Sequence, residues 1–380
     1  MREYLLVFLV AGAVTYLLTV VAREIAMRTG AFAQVRDRDV HAEPIPYLGG
    51  LAMLGGLVAA YLVATQLPFL SLGGDRVFGP ARVVLLAGAL ICLVGVLDDI
   101  FDIDALMKLG GQILAAAVLV LYEVQYYFVP QAGGGVFAIQ AGQGALLTVL
   151  VVVATVNAVN FVDGLDGLAA GVVGIGAVAF FAFCYQLANV NQQSLAITGA
   201  LLCAALAGVC AGFLAHNFNP ARLFMGDSGS MLIGLVLSGA AVSLTGQFPA
   251  SDLTRGAQGS EASLVPIVLP LALPLLLLIV PLLDLVLAVV RRTRAGRSPF
   301  APDKQHLHHR LLEIGHSHRR AVLIMWSWAA LIAFGSVLAS LYTGPWMWSG
   351  LAVMTLVTVL ATFLLPRVRG LDDQEEPVAG

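Results

Sequence analysis

The chain has 380 residues, of which 59% are hydrophobic and only 11% charged, and its formal net charge is −3. Soluble domains carry about 25% charged residues, so this composition excludes an ordinary soluble enzyme and points to a chain that folds in lipid. No nucleic-acid partner is expected.

Apolar runs of about 18 residues or more read as membrane-spanning helices, because a hydrocarbon core of roughly 30 Å takes about 20 helical residues to cross. Such runs follow one another from Leu5 to Pro366. Eleven spans are predicted, at about 4–22, 47–67, 81–98, 107–128, 145–160, 167–187, 195–215, 229–246, 263–290, 321–342 and 346–366. The expected fold is therefore all-α, a polytopic integral membrane protein. Its first span is longer than a signal-peptide core and reads as a retained helix. Cys92, Cys184, Cys203 and Cys210 lie inside apolar runs without CxxC spacing and read as small core residues.

Alternate connections fall into two sets. One holds sixteen of the twenty Lys and Arg residues, among them Arg23, Arg36, Lys108, Arg222 and the basic run from Arg291 to Arg320. The positive-inside rule places that set in the cytoplasm and the N-terminus outside. Residues 1–366 then form one membrane domain. The tail at 367–380, with Asp372, Asp373, Glu375 and Glu376, is cytoplasmic and expected to be disordered. No internal repeat of the transporter kind is visible.

Four polar clusters interrupt the apolar pattern: LDDIFDID (97–104), NAVNFVDGLDGL (157–168), HNFNPARLFMGDSGS (216–230) and SPFAPDKQHLHHRL (298–311). All are expected at the cytoplasmic face. Asp102 and Asp104 suit helix caps. Asp98 and Asp99 repel each other unless a cation or basic group is close, and Lys108 is one candidate. In the second cluster Asn157, Asn160, Asp163 and Asp166 recur every three residues, about 60° apart on a helix, so neighbours can converge on one ligand. Asn157 and Asp166 would point in opposite directions on an ideal helix, and Gly164 and Gly167 argue against a continuous one. Asn and Asp oxygens suit Mg²⁺, which binds one or two protein carboxylates together with substrate phosphates.

In the third cluster Asp227 precedes an apolar helix, where amides can face an anion, although Asp-Ser-Gly is also an ordinary turn. Phe224 reads as an interfacial aromatic or as a platform for a base. His306, His308, His309 and Arg310, with His316 and His318 further on, lie among basic residues without cysteine, which favours a phosphate pocket over zinc. Asp284, inside the ninth span, is an intramembrane acid and so a functional candidate, with a structural pairing equally open.

Together, DD-x-x-D at 98–102, N-x-x-N-x-x-D-G-x-D-G at 157–167, F-M-G-D at 224–227 and H-x-H-H at 306–309 resemble the polyprenyl-phosphate N-acetylhexosamine-1-phosphate transferases, over about residues 1–345. The resemblance implies transfer of a sugar 1-phosphate from a UDP-sugar to a polyprenyl phosphate at the bacterial plasma membrane, with release of UMP and with Mg²⁺ or Mn²⁺. The single apolar residue inside H-x-H-H, and the wider GRSPFAPDKQHLHHRL, resemble the branch that uses UDP-GlcNAc rather than UDP-MurNAc-pentapeptide. Carried over by motif, Asp98 and Asp99 match the catalytic acidic pair, Lys108 the lysine after it, and Asp163 an aspartate near the nucleotide. Asp227 and Asn160 match the metal site. Asn217, Phe224 and Asp166 match the nucleotide pocket, and His306, His308, His309 and Arg310 the basic loop that grips diphosphate or sugar. Small residues in several spans permit close helix packing and leave a homodimer open. A transporter would need polar groups near the midplane of several spans, which this pattern lacks.

Overall fold

The computed structural model describes residues 1–29, 45–131, 135–191, 194–245, 316–342 and 344–368, with positions 272, 293, 294 and 296. Apart from position 272, the span expected at 263–290 lies outside the described residues, as do Asp284, His306, His308, His309 and Arg310 and the tail from 369.

The helices are α1 (Arg2–Thr29), α2 (Gly49–Ala64), the single turn α3 (Pro68–Ser71), α4 (Gly74–Phe101), α5 (Ala105–Leu121), α6 (Ala141–Val162), α7 (Leu168–Asn191), α8 (Ser194–Asn217), α9 (Gly226–Thr245), α10 (His318–Leu341) and α11 (Pro345–Val368). Eight of them are long and apolar enough to cross a membrane, and α2 and α5 are shorter apolar helices. Each of these ten falls on one expected span.

The all-α expectation needs one correction. The span expected at 107–128 stops at Leu121, and Glu123, with φ 63°, turns the chain into a two-stranded antiparallel hairpin of β1 (Phe128–Gln131) and β2 (Gly135–Ala138). Phe128 pairs with Ala138 and Val129 with Phe137. Aromatic and β-branched residues followed by a Gly run favour this arrangement, and an apolarity reading does not separate it from a helix end.

α9 lies at the centre, packed on α2, α4, α6 and α8. It is the least apolar of the eight spans and the most enclosed, whereas α11 is almost wholly exposed and packs on α10. The enclosure of α9 has a packing cause: a helix surrounded by others needs small residues that let backbones approach. Gly95 of α4 shows how close they come: a Cβ there would run into the backbone of Asp227 and Ser228.

The two ends of the bundle differ. At one, the Glu3 carboxylate of α1 accepts the amides of Phe69 and Leu70, each at 2.8 Å, and caps α3. At the other, the C-terminal ends of α4, α6 and α8 meet the N-terminal ends of α5, α9 and α10, which brings the first three polar clusters of the sequence together.

Candidate active site

The site is built around the start of α9. The first amides of a helix have no partner within it, and their partial positive charge favours an anion. Here a carboxylate from another helix supplies the acceptor. Asp99 Oδ1 accepts from the Asp227 amide at 2.8 Å and Oδ2 from the Ser228 amide at 3.2 Å. Gly226 adopts φ 68°, a left-handed conformation, and a Cβ on it would collide with the Asp99 carboxylate. The F-M-G-D glycine is thus required twice, by its backbone and by its neighbour.

Adjacent residues on a helix point about 100° apart, so Asp98 faces elsewhere. The chain reverses after α4, with Asp102 left-handed at φ 50° and Asp104 capping α5 by accepting from Leu106 (2.8 Å) and Met107 (3.1 Å). Asp104 is therefore a helix cap, as its position suggested. The reversal folds Lys108 back onto α4. Its Nζ donates to Asp98 Oδ2 at 3.0 Å and also pairs with Asp227 Oδ2. The repulsion expected between Asp98 and Asp99 is relieved because each has its own positive partner, an ammonium for one and a helix N-terminus for the other.

Asn160 completes the group. Its Nδ2 donates to Asp227 Oδ1 at 2.7 Å and to Ser230 Oγ at 2.9 Å. The side chains of Lys108, Asp98 and Asp227 are 19%, 12% and 26% exposed, so the cluster is sheltered without being sealed. Asn157, one turn before Asn160, is directed instead to Gln112 of α5.

Beyond α6 the D-G-x-D-G segment is a turn. Asp163 caps the end of α6 and is partly buried. Burial first, then the nearby charges of Asp99 and Asp166, push its carboxyl from 3.8 up to about 7. Asp166 is buried, and its Oδ2 accepts from Asn219 Nδ2 and from the Ala221 amide, both at 3.0 Å. Its own amide donates to His318 Nε2 at 3.1 Å. Asn217, also buried, accepts from the Gly167 amide at 2.9 Å and donates to the Leu223 carbonyl at 3.0 Å. Asp166 and Asn217 thus tie the turn at 163–167 to the loop that carries Phe224. That loop is held from the other side by the Phe224 amide on the Pro46 carbonyl and by the Gly49 and Gly50 amides on the Phe224 and Met225 carbonyls. The Phe224 ring lies 6.1 Å from that of Tyr47, tilted by 43°.

His318, read in the sequence with the basic histidines, sits instead against the Asp166 amide, and four members of this network escape a reading by motif: Gln112, Tyr47, Asn219 and Ser230. Gln112 alone leaves a usable signal, as a lone amide one turn beyond Lys108 in an apolar helix.

The chemistry of the donor set suits a hard divalent cation. Asp98 Oδ2 and Asp227 Oδ2 converge on one ammonium, with the amide of Asn160 beside them. Among the described residues no three His, Cys, Asp or Glu side chains gather as a metal cage. Mg²⁺ does not need one where substrate phosphates complete its shell.

Residues 81–245, from within α4 to the end of α9, match the family model described as glycosyl transferase family 4. The decaprenyl-phosphate N-acetylglucosaminephosphotransferase of Mycobacterium tuberculosis (strain ATCC 25618 / H37Rv) is 46% identical over 381 residues, covering 99% of this chain and 92% of that protein. The chain belongs to glycosyl transferase family 4. This family 4 chain is also similar to the undecaprenyl-phosphate alpha-N-acetylglucosaminyl 1-phosphate transferase of Escherichia coli (strain K12), 31% identical over 90% of this chain and 84% of that one. A probable undecaprenyl-phosphate N-acetylglucosaminyl 1-phosphate transferase of Bacillus subtilis (strain 168) is 29% identical over 99% and 94%. The segment that the family 4 model matches contains Asp98, Asp99, Lys108, Asn160, Asp163, Asp166, Asn217, Phe224 and Asp227.

Proposed function

We propose that this family 4 chain transfers GlcNAc 1-phosphate from UDP-GlcNAc to a polyprenyl phosphate, releasing UMP and leaving a polyprenyl diphosphate-GlcNAc. The observation that carries this reading is the Lys108 ammonium held between the Asp98 and Asp227 carboxylates at the N-terminus of α9, a set of charged groups gathered at one end of an apolar bundle. The names of the relatives agree with it: each pairs a polyprenyl phosphate with N-acetylglucosamine phosphate transfer.

A phosphomonoester has a second pKa of about 6, so near neutral pH the acceptor is mostly dianionic and needs no strong base. An acceptor oxygen bonds to the β-phosphorus of the donor as the bond from that phosphorus to the bridging oxygen breaks, and the electron pair leaves with UMP. Asp227 would hold Mg²⁺ or Mn²⁺ with Asn160 and Asp98 alongside, and the cation would neutralise diphosphate charge as a Lewis acid. Lys108 orients the anionic groups. Asp98 positions Lys108, and Asp99 fixes the backbone that presents Asp227. Asp163 and Phe224 face the nucleotide, with Phe224 stacking on uracil, and Asp166 and Asn217 hold the pocket's walls. His306, His308, His309 and Arg310 grip the diphosphate.

In this reading the chain has eleven spans in a bacterial plasma membrane, with its N-terminus outside and its C-terminus and active site at the cytoplasmic face. The 16-to-4 division of Lys and Arg supports that orientation. The test is UMP release by purified protein supplied with polyprenyl phosphate, Mg²⁺ and either UDP-GlcNAc or UDP-MurNAc-pentapeptide. Release with UDP-GlcNAc alone is expected. Release only with the pentapeptide would overturn the donor, and silence with both would overturn the reaction.

A further inference from the structure

Gln112 and Asn157 form a reciprocal amide pair between α5 and α6. Gln112 Nε2 donates to Asn157 Oδ1 at 3.2 Å, and Asn157 Nδ2 returns a bond to Gln112 Oε1 at 2.6 Å. Asn157 Nδ2 also donates to the Val153 carbonyl at 2.8 Å, and Gln112 Nε2 reaches Met231 Sδ of α9 at 3.5 Å. Each primary amide has two N–H donors, and all four are now engaged. Phosphate groups only accept hydrogen bonds from protein donors at this charge state, so the pair has nothing left to offer a diphosphate. Its role lies in what it holds.

Its position says what that is. Gln112 follows Lys108 by four residues and Asn157 precedes Asn160 by three, so the pair sits one turn deeper on the same faces of the same helices. Met231 adjoins Ser230, the hydroxyl that Asn160 contacts. The three helices are therefore joined in two tiers about 5.4 Å apart along the axes. The outer tier is Lys108 with Asp98 and Asp227, and Asn160 with Asp227 and Ser230. The inner tier is Gln112 with Asn157 and Met231. α5 packs on α4 and α6 and reaches α9 through the Lys108 and Gln112 side chains. A long lysine on a helix with so little direct hold on α9 needs its register set elsewhere.

We infer that Gln112 and Asn157 are positioning residues, which lock the rotation and axial register of α5 against α6 and so deliver the Lys108 ammonium to Asp98 and Asp227. The kinetic part of the test rests on the proposed transfer, while a labelling part does not. The chain has two lysines, Lys108 and Lys304, so mass spectrometry can follow Lys108 labelling by a water-soluble amine reagent against Lys304 as an internal reference. In a chelated sample, Gln112→Leu and Asn157→Leu should each expose Lys108 and raise its relative labelling several-fold. Each should lower kcat by about ten-fold or more with KM for UDP-GlcNAc nearly unchanged, as expected when a catalytic group is misplaced by about an ångström. The exchanged pair, Gln112→Asn with Asn157→Gln, keeps both amides and their combined length and should restore both readouts toward wild type. The inference is overturned if Lys108 labelling in the folded single variants matches wild type, or if the exchanged pair is as impaired as either single variant. Should UDP-GlcNAc prove not to be the donor, the labelling comparison still decides this inference by itself.

Discussion

Asp163 shows how one residue's surroundings can set a pH response. Its carboxyl is raised from 3.8 to about 7 chiefly by burial, and Asp99 and Asp166 add to the effect. A carboxyl that is harder to ionise in the fold than in the unfolded chain favours the fold while both states are protonated, and that contribution is lost as pH rises through the folded value. The metal-free protein should therefore lose thermal stability between about pH 4 and pH 7 through this group, a slope that Asp163→Asn removes. Melting curves of both proteins across that range, with divalent cations chelated, give the measurement. Identical slopes would mean that the Asp163 environment is more polar than its burial indicates. Asn157 carries a different lesson at the same scale. Its place in the three-residue repeat suggested a ligand-facing group, and the structure turns it toward Gln112. Spacing along one helix gives an angle about that helix's own axis, and which neighbour occupies that angle is a property of packing.

Among the elements, the junction of α4 and α9 concentrates the most constraint. Asp99 accepts two amides of α9, Gly226 leaves room for its carboxylate, and Gly95 lets the helices meet at the backbone. A helix cap is worth about 0.5–2 kcal/mol, and a carboxylate at a helix N-terminus adds about 0.3–1 kcal/mol. Asp99→Ala should accordingly lower stability by about 1–2 kcal/mol and reduce turnover, because Asp227 loses the bond that fixes its backbone. Asp98→Ala should leave stability closer to wild type and lose turnover through Lys108. Unfolding in detergent, compared with kcat for the two variants, separates these roles, and equal stability losses would contradict them. The adjacent acids were visible in the sequence as one pair. Their division of labour was not, because it depends on which face of α4 meets α9.

At the scale of the molecule, apolar runs were enough to mark the ten longer helices of the described residues, since crossing a hydrocarbon layer fixes both length and composition. They also placed the first three polar clusters at one end of the bundle, because alternate connections of an up-and-down chain share a face. What they left out has physical causes. The hairpin at 128–138 is apolar like the spans around it, and the enclosure of α9 depends on small residues that an apolarity scale scores poorly. The network around Asp166 and Asn217 relies on backbone amides, which every sequence possesses and none displays. The geometry drawn from these distant segments comes to one point, the ammonium of Lys108 between Asp98 and Asp227. The most direct measurement is therefore the turnover of Lys108→Gln with UDP-GlcNAc and polyprenyl phosphate, alongside its melting temperature. With the fold intact, kcat should fall by about a hundred- to a thousand-fold, the range seen when a fixed electrostatic stabiliser is removed. A folded Lys108→Gln protein that turns over within about three-fold of wild type would place the chemistry elsewhere and contradict this account.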